Sequence, residues 1–124
     1  MKKITFVSLL FLFILSSCGT VKSLIIDPKK EVSTRDKVVY NALQFEGSKY
    51  RSGGTTEAGF DCSGLVYVSF NLEEILLPRQ SRYMANVGTE ITLDKAQKGD
   101  LLFFITGRKS KKINHVGLVV SKED

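Results

Sequence analysis

The chain is short of the residues that several protein classes require. Two prolines in 124 residues, with 43% hydrophobic and 25% charged, exclude a collagen-like or disordered chain and fit one small globular domain rather than two. A single histidine and two cysteines cannot form a four-ligand metal cluster, so no metal and no other cofactor is expected. The longest apolar run covers residues 4–15, interrupted only by Thr5 and Ser8. As a helix it rises roughly 18 Å against a hydrocarbon core of ~30 Å, too little for a permanent membrane span. There is no internal repeat and no low-complexity segment. Net charge is +5, or +3 without Lys2 and Lys3, too mild to indicate nucleic acid. Basic residues are scattered apart from Arg108, Lys109, Lys111 and Lys112. That cluster reads as a solvated loop between two strands, with contact to substrate carboxylates or an anionic surface as the alternative.

What is present at the N-terminus is an export signal: Lys2 and Lys3, then the apolar run. It ends in Leu15-Ser16-Ser17-Cys18, which resembles the bacterial lipobox, where the cysteine is lipidated and becomes the mature N-terminus. The alternative is an ordinary signal peptide cut nearby, with Cys18 incidental. Gly19 rather than Asp resembles lipoproteins passed on to the outer membrane. The expected organisation is a signal peptide over 1–17, a lipidated N-terminus and tether over 18–32, and one domain over 33–124. The expected location is the outer membrane, facing the periplasm. Residues 19–32 could reach at most about 45–50 Å when extended, enough to let the domain work away from the bilayer.

Ser33 and Thr34 offer capping hydroxyls, Asp36 suits a first turn, and Val38, Val39, Ala42, Leu43 and Phe45 form an apolar stripe near helical spacing. Gly47 is the expected stop. Residues 50–60, with Gly53, Gly54 and Gly59, read as a loop. Asp61 caps a second helix that carries Leu65, Val66, Val68 and Phe70 to about Ile75. Pro78 breaks the chain, a short helix is expected over 81–85, and Ile91 is assigned to a short strand. Residues 101–105 and 115–120 read as two further strands. Helices followed by strands predict an α+β domain.

Two residues suggest chemistry. With Cys18 acylated, Cys62 is the only free thiol and has no partner in the chain for a disulfide; such a cysteine is inert, paired with another molecule, or reactive. It sits where a glycine-rich loop enters a helix, so a thiolate there faces unsatisfied N–H groups and the positive end of the dipole. Gly64 permits close approach of backbone or substrate. His115, the one available base, begins a strand after a polar loop. Only the fold can bring it to Cys62. Taken singly, each also fits a plain structural role.

The ordered motifs decide between these readings. Tyr50-Arg51-Ser52-Gly53-Gly54 and Gly59-Phe60-Asp61-Cys62-Ser63-Gly64-Leu65-Val66 resemble the active-site stretch of the NlpC (p-sixty) family of papain-like peptidoglycan hydrolases. Leu77-Pro78-Arg79-Gln80-Ser81, Lys98-Gly99-Asp100-Leu101-Leu102-Phe103-Phe104 and His115-Val116-Gly117 follow in that family's order. The resemblance runs from Asp36 to the end. It implies a papain-like α+β fold with the catalytic cysteine at a helix start against an antiparallel sheet. It also implies Cys62 as nucleophile, His115 as base, and Tyr50 as a substrate-binding or oxyanion-stabilising hydroxyl. Asp61 and Ser63 match positions that recognise the stem peptide. The implied substrates are peptidoglycan stem peptides, cut between D-glutamate and the diamino acid.

Ser52 stands where many relatives have an aromatic residue, so one wall of the groove is expected to differ. The family orients its histidine through a third polar residue on the following strand. The sequence stops at Asp124, so that residue and the last strands are expected to be missing; Glu123 and Asp124 are poor substitutes, and Asn114, Gln80 and Asp100 stay open. The competing reading is a non-catalytic lipoprotein that binds wall peptides or recruits another hydrolase. A third reading keeps the thiol chemistry but makes it an amidase or acyl transferase.

Overall fold

A computed structural model describes residues 31–122. The segment assigned to signal and tether therefore lies, up to residue 30, outside the described residues, as do Glu123 and Asp124. Helix α1, Thr34–Leu43, starts as its sequence requires: the Ser33 hydroxyl accepts from the Asp36 amide at 3.2 Å, satisfying one first-turn donor. Val38, Val39 and Ala42 form its buried stripe. Beyond Leu43 hydrogen-bonded turns carry the chain through Gly47, which takes a positive φ of 82°.

The stretch over 50–60 is not all loop. Strands β1, Thr55–Thr56, and β2, Gly59–Phe60, pair antiparallel, and Tyr50 forms a parallel bridge to Phe60. Helix α2, Cys62–Asn71, follows at once, with Asp61 as its cap. It stops four residues before Ile75 because the turn over 72–74 closes it, with Glu74 at positive φ. The Asn41 side chain donates to the Ser69 carbonyl and to Glu73, at 3.3 and 2.8 Å, and so ties α1 to α2.

After Pro78 comes the short helix α3, Ser81–Met84. Ile91 belongs to no strand; a 3₁₀ turn, Leu93–Lys95, follows it, and Ile91 is half exposed with no strand partner. Strands β3, Leu101–Phe104, and β4, His115–Leu118, pair antiparallel with Phe103 opposite Val116 and Phe104 opposite His115. Both strands end sooner than their apolar runs. Val66 from α2, Met84 from α3 and Val116 from β4 form the centre of a core, with Phe70, Leu101, Phe103 and Cys62 packed against it. Helices first, antiparallel pairs beside and after them: the domain is α+β. Among the described residues no helix is long and apolar enough to cross a membrane.

Candidate active site

The Asp61 carboxylate organises the head of α2. It accepts from the Gly64 amide at 2.7 Å and the Gly53 amide at 2.8 Å, so one side chain caps the helix and clasps the preceding loop. The loop can come this close only because residue 64 lacks a side chain: a Cβ there would lie 2.0 Å from the Gly54 carbonyl oxygen. Gly64 thus serves the close approach of the Gly54 backbone.

Arg79 completes the arrangement. Its guanidinium lies 2.9 Å from Asp61 Oδ1 and donates to Ser63 Oγ at 2.9 Å and to the Gly54 carbonyl at 3.3 Å. Burial would raise the Asp61 pKa, but the Gly64 and Gly53 amides and Arg79 together hold it below the usual carboxylate value. Sequence reasoning placed Arg79 in a motif but gave it no role. The signal was available: a carboxylate capping a helix in an apolar setting needs a counter-charge.

Cys62, at the first position of α2, is half-buried and free. Its own N–H, as a first-turn amide, has no acceptor within the helix. Cys62 and His115 line one recess of about 260 Å³, whose apolar wall is made by Phe45, Phe60 and Leu65. Tyr50 lines it as well and is 77% exposed, its ring free to meet a bound molecule. On the other side of Cys62 opens a polar groove of about 390 Å³. Tyr50, Asp61 and Ser63 form its near side; Gln80, Arg82 and Lys112 belong to its lining too.

The structure brings Cys62, His115 and Tyr50 together, and puts Asp61 and Ser63 beside them. It does not supply the orienting residue from the substitutes named above. Asn114 lines the groove but spends its amide on Thr106, accepting from its N–H at 2.8 Å and donating to its carbonyl at 2.9 Å. Asp100 is bound to Arg35 and to the Gln97 amide. Gln80 lines the groove rather than the recess that holds His115. The His115 ring rests against Phe104, centroids 5.8 Å apart, and has no hydrogen-bond partner among the described residues. Cys18 lies outside the described residues.

A thiol at a helix head, an imidazole across a recess and an unsatisfied amide beside the thiol are the parts of a cysteine acyl-transfer centre. Known proteins are similar to this chain. The chain is 42% identical over 86 residues to the Bacillus subtilis bifunctional muramidase/DL-endopeptidase CwlT, covering 68% of this chain and 26% of that one. It is 35% identical over 91 residues to a gamma-D-glutamyl-L-lysine dipeptidyl-peptidase of the same organism, covering 73% and 31%. The chain thus spans about a quarter to a third of the length of these relatives. A solved Staphylococcus aureus structure described as similar to lipoprotein, NLP/P60 family, superposes with a TM-score of 0.65 at 30% identity, covering 78% of this chain and 34% of that one. The model of the NlpC/P60 family matches residues 47–124, a span that holds Tyr50, Cys62 and His115, and the chain belongs to that family.

Proposed function

We propose that the protein is a cell-wall hydrolase, a cysteine endopeptidase that cuts peptidoglycan stem peptides at the bond between D-glutamate and the diamino acid. One observation carries this reading: Cys62, His115 and Tyr50, far apart in sequence, line a single recess at the head of α2. The Cys62 thiolate attacks the peptide carbonyl, and the oxyanion is held by the Cys62 N–H with help from the Tyr50 hydroxyl. His115 takes the thiol proton and returns it to the leaving amine; water then releases the acyl group from Cys62. Relatives named for DL-endopeptidase and gamma-D-glutamyl-L-lysine dipeptidyl-peptidase activity support the choice of bond. Asp61 serves this centre chiefly by building it. Paired with Arg79 and two amides, it lines the groove together with Ser63, whose hydroxyl also accepts from Arg79, and the stem peptide lies along this groove.

The same proposal includes the organisation of the chain: a signal peptide over 1–17, lipidation at Cys18, a tether to 32, and anchorage in the outer membrane facing the periplasm. The sequence Leu15-Ser16-Ser17-Cys18-Gly19 supports it. Incubation of the purified full chain with muropeptides, wild type beside Cys62→Ala and His115→Ala, tests the activity. Wild type should cut the stem after D-glutamate, leaving on the sugar a stub that ends in D-glutamate; Cys62→Ala should cut none, and His115→Ala should be slower by on the order of 10³-fold. Equal product from Cys62→Ala would remove the mechanism.

A further inference from the structure

Strand β4 presents the base on the face that the core does not cover. In the β3–β4 pair Phe103 stands opposite Val116, and Phe104 opposite His115. Successive side chains of a strand point to opposite faces of the sheet. Phe103 and Val116 go to the core, so Phe104 and His115 share the other face as direct neighbours. Both are exposed, Phe104 by 43%, and the core of Val66, Met84 and Val116 includes neither.

The Phe104 ring is seated to hold the imidazole. Its centre lies 5.8 Å from that of His115, with the planes at 43°, inside the range of about 4.5–7 Å over which aromatic rings attract. The ring also leans along β4 over Gly117, where a Cβ would lie 3.6 Å from Phe104 Cε2. Gly117 is on the same face as His115, two residues on, and its missing side chain is the floor on which the ring rests. The backbone under the pair is fixed too. The Asn114 N–H donates to the Phe104 carbonyl at 3.0 Å, and the Asn114 side chain donates to the Thr106 carbonyl at 2.9 Å. The imidazole has no hydrogen-bond partner among the described residues, so the ring contact is what limits its rotation. Phe104 lines neither the recess nor the polar groove; it touches the base and not a bound peptide.

We infer that Phe104 is a positioning residue: its ring, seated over Gly117, holds the His115 imidazole in the orientation that faces Cys62. The inference rests on the function proposed above and adds a residue that acts on the reaction only through the base. Without the ring the imidazole keeps its place on β4 but gains rotamers that turn it away from the thiol. That loss falls on proton transfer, hence on kcat, and leaves peptide binding alone.

The test uses the full chain without added histidines, wild type beside Phe104→Leu and Phe104→Tyr. His115 is the only histidine, so its ring C–H signals in a ¹³C-histidine NMR spectrum are identified at once, and their relaxation reports the order of the imidazole. Wild type and Phe104→Tyr should show an imidazole nearly as ordered as the backbone. Phe104→Leu should show a looser one and lose the cross-relaxation between the two rings. With muropeptides, Phe104→Leu should lower kcat by about threefold to tenfold, the scale of one aromatic pair, and change KM by less than about twofold. Phe104→Tyr, which keeps the ring, should stay within about twofold of wild type. Phe104 is partly exposed and outside the core, so both variants should fold, as circular dichroism checks. A mobile imidazole in wild type, or equal imidazole order in wild type and Phe104→Leu, overturns the inference. An unchanged kcat despite a loosened imidazole overturns it too, as does a loss that appears in KM instead of kcat. If wild type cleaves no muropeptide, the proposed cleavage fails, while imidazole order in the three proteins still decides whether Phe104 holds His115.

Discussion

Gly64 shows how much of the active site is decided by what a residue lacks. It lies buried within the first turn of α2, where glycine costs helix stability relative to alanine. The cost is accepted because the Gly54 carbonyl fills the space of a Cβ, at 2.0 Å, and Asp61 Oδ1 would be 2.8 Å away. Both neighbours belong to the clasp that holds Cys62, so neither can retreat freely. Gly64→Ala should therefore destabilise the domain by about 1–3 kcal/mol, the range of core overpacking. It should also slow cleavage, because the helix head must shift. Urea titration reads the first effect; an unchanged midpoint would mean that the approach is not close. At this scale the sequence was informative about chemistry and uninformative about partners. Cys62, His115 and Tyr50 were identifiable from type and motif, and the structure brings all three to one recess. Arg79 was not assigned, and Asn114 and Asp100, left open as supports for His115, are engaged with Thr106 and with Arg35 and Gln97 instead. A side chain's partner depends on which segments meet, and Arg35 and Asp100 meet across 65 positions of chain.

The head of α2 is a unit larger than any of its residues. Asp61 caps it, Arg79 neutralises the cap, and Gly53 joins the loop to it. Its stability should follow the ionisation of Asp61. With the folded pKa depressed, the carboxylate's contribution is fully present above the unfolded value of about 3.9 and is lost as pH falls through the lower folded value. Asp61→Asn removes that dependence. Its deficit relative to wild type should be constant from neutral pH to about 5 and shrink below about 4. Asp100, also depressed by the Gln97 amide and Arg35 against the opposing effect of burial, is present in both proteins and cancels in the difference. Urea midpoints measured at several pH values check this; a deficit that grows on acidification would contradict it. Elements with strong caps were legible. Ser33 marks α1 and Asp61 marks α2, each by a side chain that accepts from an amide three residues on. The β1–β2 pair was not, because two-residue strands have no period to detect and their Thr-Thr and Gly-Phe residues lie among turn formers.

Over the whole domain the site depends on a small core. Val66, Met84 and Val116 come from three different elements, and each element carries part of the site: Cys62 on α2, Arg82 on α3, His115 on β4. The order of helices and strands gave the α+β class, since apolar patterning and turn residues suffice for that. It could not show that a four-residue helix supplies a central core residue. Met84, 1% exposed, is what holds α3 to the rest. One turn of helix has no stability of its own, so packing alone keeps Arg82 at the groove. Met84→Ala should cost about 2–5 kcal/mol, a large share of the 5–15 kcal/mol typical of a domain. Met84→Leu, which conserves volume, should cost less than about 1.5 kcal/mol. The pair separates packing from chemistry, because neither change touches a polar group. Urea denaturation of the three proteins gives the order wild type, Met84→Leu, Met84→Ala. Under conditions where Met84→Ala remains folded, its cleavage should slow, because α3 no longer holds its side of the groove beside Cys62. Equal stability of Met84→Ala and wild type would show that α3 is held by something other than this contact.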